Sequence, residues 1–231
     1  MELPIFFLEK PVTSNLLTLD EDTSKHVVQV LRMKPLERLQ LTDGAGSLFT
    51  AEIIDDHKKR CTVKIAETQV VTRKKQQVSV GISLLKNAGR LEWFLEKATE
   101  IGVTEIIPLL CDRTEKHQFR YDRMKQIVVS AMMQSKQVWL PVLHQPVVLS
   151  QMVATDDYET KLVAHCLPET KKSITDFRKL PSVKVIIGPE GDFTAGEISL
   201  TLSRGYQPVT LGETRLRTET AGVVAATVLC I

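Results

Sequence analysis

Two loops of the sequence place glycines and charged residues directly after short apolar segments. The first, Ile186–Thr194, reads IIGPEGDFT, and the second, Leu211–Ala221, reads LGETRLRTETA. Each runs from a predicted strand into a predicted helix, and in an open α/β sheet ligands bind at such carboxyl ends of strands. Glycine lets the backbone approach a ligand closely, and an arginine pair can hold an anionic or planar polar partner. The two loops are therefore the candidate ligand site.

Neither loop matches a phosphate-binding fingerprint. The first is not a Walker A sequence, and no G-x-G-x-x-G follows a strand, which argues against a Rossmann-type dehydrogenase. The residues alone leave two interpretations open. The loops bind a ligand, or they are ordinary turns in which Gly and Pro serve geometry and the arginines are solvated or pair with Glu213 and Glu219.

No metal site is predicted from the cysteines. The four cysteines are scattered, with no C-x-x-C pair and no histidine at ligand spacing, and they are Cys61, Cys111, Cys166 and Cys230. We expect all four to be buried free thiols, as in a protein of the reducing cytosol.

Composition narrows the class of protein. The chain has 231 residues and a net charge of +2. Aromatic residues make up only 5% of it, which argues against a repeated stacking platform for single-stranded nucleic acid. No apolar stretch approaches the ~18 residues of a membrane span. The N-terminal segment MELPIFFLEKPV lacks the basic region of a signal peptide. We therefore expect a cytoplasmic protein that does not associate with membranes.

A polar, basic stretch at Thr72–Gln77 predicts a boundary between two domains, residues 1–72 and 73–231. Residues 1–72 contain 9 Lys+Arg and 11 Asp+Glu, a net charge of −2, and residues 73–231 contain 21 and 17, a net charge of +4. The near-neutral total therefore averages a slightly acidic domain and a modestly basic one.

The first domain reads as a β-rich module with one helix. Apolar segments on both sides of Asp43–Gly46 predict a hairpin, and the alternating pattern of Cys61–Val71 predicts a half-buried strand. The helix carries His26 on an apolar face, and Asp22 or Thr23 is its predicted N-cap.

The second domain alternates strands and helices, which predicts an open, mainly parallel α/β sheet. One helix is expected to end at Gly102, a left-handed terminator, and another to begin with a capping box at Thr194. The predicted strands are 78–85, 106–110, 161–166, 183–187 and 209–211, and the helical faces begin near Leu91, Tyr121, Thr194 and Thr218.

Together these segments resemble the SPOUT methyltransferases, and more narrowly the family that methylates N3 of a uridine in small-subunit ribosomal RNA. The resemblance rests on GPEGDFTAGEI, on LGETRLRTETA, on KNAGRLEWFLEKATEIGVTEIIPL, and on the N-terminal HVVQVLRMKPLERLQLTDGAG. In the third segment, the residues that match the family are Lys86, Arg90, Glu92, Lys97, Ala98, Thr99, Glu100, Gly102 and Val103. The matches fall in both predicted domains and cover most of the chain.

The resemblance implies a PUA-like, RNA-binding β-barrel over residues 1–72 and a SPOUT methyltransferase domain over 73–231. It implies that the parallel sheet ends in a deep trefoil knot, a rare exception to unknotted folding. The implied cofactor is S-adenosyl-L-methionine, with no metal. The implied partners are a second copy of the chain in a homodimer and 16S rRNA, within an assembled small ribosomal subunit.

Three groups of site residues are predicted from the resemblance and, for Leu162, His165 and Arg113, from their positions at a strand end or in the basic second domain. Arg217 and Glu190 are the expected catalytic residues. The expected cofactor-binding residues are Leu162, His165, Gly188, Glu190, Gly191, Leu211, Gly212, Leu216 and Arg217. The expected RNA-binding residues are His26, Arg32, Lys86, Arg90 and Arg113.

Two positions depart from the family pattern. Asp192 stands where the family has the second glycine of G-P-E-G-G, and Thr214 occupies the usual place of the first arginine, which follows as Arg215. These departures keep open the alternative of a non-catalytic ribosome-assembly protein of the same fold. A second alternative, a SPOUT methyltransferase that acts on another RNA such as transfer RNA, stays open because it would share the fold and the cofactor.

Overall fold

The computed structural model describes residues 3–231, which form two compact units. The first unit comprises the residues up to Arg73 together with Met132–Leu140, and the second comprises Lys74–Ala131 and Pro141–Ile231. None of the helices in the described residues has both the length and the apolarity needed to span a membrane.

The first unit is built on a five-stranded sheet in the order β1-β3-β4-β5-β2. Its strands are β1 (Ile5–Phe7), β2 (Leu16–Thr18), β3 (Arg38–Thr42), β4 (Ser47–Asp55) and β5 (Thr62–Val70). The predicted hairpin is confirmed, because β3 and β4 pair antiparallel around residues 43–46. The buried face of the sheet carries the fully enclosed side chains of Leu39, Leu41 and Ile53.

The predicted helix of the first unit is present, but its predicted cap is wrong. Helix α1 spans Glu21–Lys25 and continues as one π-helical stretch, His26–Val30. The N-cap is Asp20, whose carboxylate accepts the Thr23 backbone N–H at 2.8 Å. Asp20, two positions before the predicted Asp22, thus satisfies a first-turn N–H group, which is the function of a cap.

Residues 132–140 cluster with the first unit, although the predicted boundary near residue 72 places them in the second domain. The Trp139 indole N–H donates to the Val71 carbonyl at 3.0 Å, and the Gly46 N–H donates to the Val138 carbonyl at 2.8 Å. A Cβ on Gly46 would lie 2.3 Å from the Trp139 ring. The indole therefore packs closely against the backbone at Gly46, a long-range contact that no local sequence pattern reports.

The second unit contains an eight-stranded sheet, and every strand pair in it is parallel, as predicted. Its strands are β6 (Gln77–Ser83), β7 (Glu105–Leu110), β8 (Val142–Leu143), β9 (Val147–Val148), β10 (Thr160–Ala164), β11 (Lys172–Ser173), β12 (Ser182–Ile187) and β13 (Gln207–Thr210). They follow the order β11-β13-β10-β12-β6-β7-β8, with β9 paired to β7.

The helices of the second unit confirm the predicted helix end at Gly102 and the predicted helix start at Thr194. The helices are α2 (Ala88–Ile101), α3 (Tyr121–Gln134), α4 (Leu149–Ala154), α5 (Ala195–Ser203) and α6 (Thr218–Cys230), with a 3₁₀ turn at Ile174–Phe177. The residues of α3 from Met132 onward cluster with the first unit. Gly102 ends α2 in the left-handed conformation with φ of 100°. Thr194 and Glu197 form the reciprocal capping box of α5.

Helix α6 lies unusually close to its neighbours. A Cβ on Gly222 would be 2.6 Å from the Phe94 ring of α2 and 3.1 Å from Ile82 of β6. Real Cβ atoms do not approach this closely, so the missing side chain lets the helix backbone pack directly on the ring. This contact fixes the start of α6, where the second candidate loop ends.

A buried polar network lies toward the amino-terminal ends of β7 and β12. The Lys184 ammonium is 3.0 Å from an Asp156 carboxylate oxygen and 3.8 Å from Glu105. The Tyr158 hydroxyl donates to Glu105 at 3.0 Å, and the Tyr206 hydroxyl donates to Asp156. Burial raises the pKa of Glu105, but the surrounding hydroxyls and the Lys184 ammonium outweigh it and hold that pKa below its ordinary value.

The expectation that all four cysteines are buried was wrong. Cys61 and Cys111 are buried, Cys230 is partly buried, and Cys166 is exposed. Cys166 lies two residues beyond Ala164, the last residue of β10, so it belongs to a loop and not to the strand that the apolar pattern predicted.

Candidate functional site

A cavity of about 760 Å³ opens at the carboxyl ends of β10, β12 and β13. Its wall is built by the three loops that follow these strands, and the strands are direct neighbours in the sheet. This is the ligand-binding edge of an open parallel sheet, and the volume lies within the ~300–1,000 Å³ of small-molecule pockets. Both candidate loops thus meet at one site.

Most of the predicted cofactor residues line this cavity. They are His165, Gly188, Glu190, Leu211, Gly212, Leu216 and Arg217. Leu162 and Gly191 do not line it. Leu162 is fully buried inside β10, two residues before that strand ends. Gly191 has no side chain to offer, and its carbonyl accepts a hydrogen bond from Arg113 at 2.7 Å.

The cavity is also lined by residues of the two candidate loops that were not named as cofactor-binding, and by further residues of the loop after β10. Among these are Cys166, Lys171, Asp192 and Arg215. Cys166 and Lys171 lie in the loop after β10. The general sequence signal for a ligand site in this loop is that the loop follows a buried parallel strand. That loop carries no glycine-rich motif, so nothing more specific marked it in the sequence.

Arg217 is the N-cap residue of α6 and presents an exposed side chain to the cavity. Within residues 3–231 it makes no ion pair with Glu219, which was the alternative interpretation of its charge. Glu219 instead lies 3.6 Å from the Nε of Arg90, which also lines the cavity. The Arg217 guanidinium is therefore available to a bound partner.

Glu190 connects the first loop to the segment before α2. Its Oε1 accepts the backbone N–H of Lys86 at 3.1 Å, while the side chain remains exposed at the cavity. A carboxylate that accepts one hydrogen bond retains further lone pairs for a ligand or a proton. Glu190 therefore combines a positioning contact with free acceptor capacity.

His165 is a buried titratable group in the cavity wall. Its Nδ1 accepts the Leu167 N–H at 3.2 Å, and its Nε2 lies 2.8 Å from a Glu169 carboxylate oxygen but without hydrogen-bond alignment. The Lys171 ammonium donates to the His165 carbonyl at 2.6 Å. Burial, followed by the charge of Lys171, lowers the pKa of His165, so the neutral imidazole is favoured.

Two glycines shape the cavity wall. A Cβ on Gly188 would lie 3.1 Å from the Phe193 ring and 3.2 Å from its backbone nitrogen, so this turn is tightly packed. Gly212 has φ of 140°, a conformation that favours glycine, with no atom within 4 Å of its Cβ position. Glycine is therefore favoured at position 212 by the backbone conformation, and the space beside it is open.

The predicted RNA-binding residues fall in both units. In the second unit, Lys86 pairs with Glu115 at 2.8 Å, and Arg113 is exposed and bonded to the first loop. In the first unit, His26 is exposed and packs edge-on against Phe6 at 5.5 Å. Arg32 is exposed and has φ of 56°, which directs the chain sharply after the π-helical stretch.

Within residues 3–231 no group of His, Cys, Asp and Glu side chains has the arrangement of a metal site. The cavity instead offers carboxylates, guanidinium groups, backbone amides and apolar side chains. This set suits an organic ligand that carries both charges and an apolar part.

Comparisons with known proteins match both parts of the chain. A family model described as an RNA methyltransferase domain matches residues 72–230, and one described as an RNA methyltransferase PUA domain matches residues 19–66. The ribosomal RNA small subunit methyltransferase E of Synechocystis is 31% identical over 219 residues, which cover 90% of this chain and 71% of the relative.

Solved structures agree with these matches along almost the full chain. A probable rRNA-methyltransferase from Porphyromonas gingivalis superposes with a TM-score of 0.91 and 34% identity, covering 97% of this chain and 95% of the other. The ribosomal RNA small subunit methyltransferase E of Neisseria gonorrhoeae, bound to S-adenosyl methionine, has a TM-score of 0.85 and 26% identity. It covers 98% of this chain and 96% of its own.

Proposed function

Because the chain belongs to the RNA methyltransferase family, we propose that it methylates N3 of one uridine in small-subunit, 16S ribosomal RNA. The observation that carries this proposal is the cavity at the ends of β10, β12 and β13, which presents the exposed guanidinium of Arg217. A member of this family needs such a place for both a methyl donor and an RNA base.

The methyl donor of this enzyme is S-adenosyl-L-methionine, the molecule bound by the Neisseria relative. The cavity residues fit this molecule. Leu211, Leu216 and Val209 provide apolar walls for the adenine, and Glu190 provides a carboxylate for its positive charges. Gly212 leaves room where a side chain would project. When bound, the donor supplies a methyl group activated by its sulfonium sulfur.

The residues around the donor must position the uracil and promote loss of its proton. The N3 atom of uracil is an imide nitrogen that is protonated at neutral pH, so its reactivity rises when charge on the flanking carbonyl oxygens is stabilised. We assign this task to Arg217. Glu190, which retains free acceptor capacity, is the proposed proton acceptor or donor-orienting carboxylate.

The proposed RNA contacts are distributed over both units. Arg90, Lys86 and Arg113 lie around or beside the cavity in the modestly basic second unit, and each keeps N–H groups that its protein partner does not occupy. His26 and Arg32 are the exposed candidates of the first unit. Contacts of this kind bind phosphates and set the position of the RNA without reading its sequence.

We further propose that the enzyme works as a cytoplasmic homodimer on an assembled small subunit, and that the loops around the cavity are knotted. The close packing of α6 at Gly222, where the helix backbone lies directly against the Phe94 ring, is compatible with closely threaded backbones. A modest charge of +4 over residues 73–231 favours a shaped ribosomal surface as substrate over tightly bound naked RNA.

Methylation assays with tritiated S-adenosylmethionine test the proposed function. We expect the purified protein to label small ribosomal subunits from a strain that lacks its gene, and to label naked 16S rRNA, large subunits and transfer RNA far less. Mass spectrometry of the product should find one 3-methyluridine. Label on transfer RNA instead would favour the alternative substrate.

The variant Arg217→Ala supplies the matched control. Because removal of one group that stabilises developing charge typically costs about 10²–10³ in rate, turnover at saturating donor should fall by about that factor. Donor binding measured by calorimetry should persist. Unchanged turnover would refute the role of Arg217, and absence of any donor binding to the wild type would favour a non-catalytic assembly protein.

A further inference from the structure

Asp192 occupies a backbone conformation that suits glycine better. Its φ is 62°, in the left-handed region, where a side chain is disfavoured and Asp is among the few residues tolerated. Its N–H donates to the Pro189 carbonyl at 2.9 Å, which closes the turn. The residue before it, Gly191, has a negative or extended φ and takes no part in this strain. The chain thus keeps a side chain where a glycine would relax the backbone.

Both oxygens of this carboxylate accept backbone N–H groups. Oδ1 accepts the N–H of Phe193 at 2.9 Å, and Oδ2 accepts the N–H of Cys166 at 2.8 Å. Hydrogen bonds to an ionised acceptor are roughly twice as strong as neutral ones. The second of them joins two loops that are separated by 26 residues along the chain.

The joined loops form adjacent parts of the cavity wall. Strands β10 and β12 are paired up to Ala164 and Ile187, and beyond these residues no ladder connects them. Asp192, Cys166 and His165 all line the cavity. The hydrogen bonds that Lys171 makes, to the carbonyls of His165 and Leu167, lie within the β10 loop itself and do not tie it to the β12 loop.

We propose that Asp192 is a positioning residue that fastens the loop after β10 to the loop after β12 and so shapes the pocket for S-adenosylmethionine. Without this link the segment from His165 to Lys171 is held at its two ends, where β10 and β11 pair in the sheet, and by the hydrogen bonds within it. Binding of the donor would then have to order this segment, and the entropic cost of that ordering would lower the affinity for the donor. The inference rests on the proposed function, because it concerns the pocket of that donor.

The variant Asp192→Gly separates the link from the backbone conformation. Glycine adopts the φ of this position without strain, so the turn is retained while the bond to Cys166 is lost. We expect the dissociation constant for S-adenosylmethionine, measured by calorimetry, to rise about tenfold, the effect of one lost charged hydrogen bond. The KM for the donor should rise with it, while kcat at saturating donor and the KM for ribosomal subunits stay near the wild-type values.

Amide hydrogen exchange of the donor-free protein gives a readout that does not depend on activity. Peptides that cover Cys166 should exchange faster in Asp192→Gly, and peptides from β12 should not. Asp192→Asn keeps a residue that tolerates this φ and one acceptor oxygen, so its affinity and exchange should fall between those of glycine and wild type. This variant also keeps the test decisive if the glycine variant folds poorly.

Lys179→Gly is the matched control for strain. Lys179 is exposed, has φ of 59° and lies outside the cavity, so relaxing its backbone should leave donor affinity unchanged. Equal donor affinity and equal Cys166 exchange in wild type and both Asp192 variants would overturn the inference while the proposed function stands. A wild-type protein that binds no donor would instead refute the proposed function.

Discussion

Replacing Gly222 by alanine tests the close packing that places α6 against the sheet. In an exposed helix interior this change would stabilise the protein by up to ~1 kcal/mol, because alanine is the better helix former. Here the new Cβ would lie 2.6 and 2.8 Å from two atoms of the Phe94 ring. Phe94 is fully buried and cannot turn into solvent, so the ring or the helix must move.

The two effects oppose each other, and their magnitudes decide the sign. Overpacking a well-filled core typically costs ~1–3 kcal/mol. A buried aromatic ring met at 2.6 Å, with Ile82 a further 3.1 Å neighbour, places this site in the upper part of that range. After subtraction of the helix-propensity gain, we expect Gly222→Ala to lower the free energy of unfolding by ~1–2 kcal/mol.

Urea unfolding, followed by circular dichroism, measures this change, and Gly196→Ala is the matched control. Gly196 lies in the first turn of α5, and the nearest atom to its Cβ position is 3.9 Å away, so alanine fits there. The control should be as stable as the wild type or more so. In the double variant Gly222→Ala/Phe94→Leu the smaller side chain makes room for the new Cβ. Its loss in free energy of unfolding should therefore be smaller than the sum of the two single losses. If Gly222→Ala proved as stable as the control, the packing argument would be refuted.

Three further changes test the glycine conformation and the titratable groups. Gly212→Ala meets no clash but must hold φ of 140°, so it should lose ~1–3 kcal/mol of stability in urea unfolding; an unchanged midpoint would contradict this. The lowered pKa of Glu105 stabilises the fold above the unfolded-state pKa of ~4.3, and this stabilisation is lost as the pH falls through the folded-state pKa. The stability difference between wild type and Glu105→Gln should therefore shrink from pH 7 to pH 3. The lowered pKa of His165 means that the unfolded chain takes up a proton first as the pH falls below ~6.5. Wild type should then lose more stability between pH 7 and pH 5 than His165→Gln, and parallel losses would exclude a neutral buried histidine.

Local signals in the sequence predicted the elements that surround the site. Gly102 ends α2 and the Thr194 capping box starts α5 because both effects depend on residues within one helical turn. The parallel sheet followed from its apolar strands. The two-residue strands β8, β9 and β11 carry no pattern of their own, and the partners that define them are distant in sequence.

The candidate site was predictable to the extent that its residues lie in loops after strands. Gly188, Glu190 and Arg217 meet in one cavity because neighbouring parallel strands end at the same edge. The link from Asp192 to Cys166 was not predictable, since it depends on a backbone φ and on a contact between separate loops. The same limit explains why Trp139 was assigned to the wrong side of a boundary that only long-range contacts define.

Mapping of methylated uridines in ribosomal RNA tests the central claim most directly. Small-subunit RNA from a strain that lacks this gene should lose one 3-methyluridine, as read by mass spectrometry of nuclease fragments. The wild-type gene should restore that nucleotide, and the Arg217→Ala gene should not. A methylation pattern that is the same with and without the gene would contradict the proposed function.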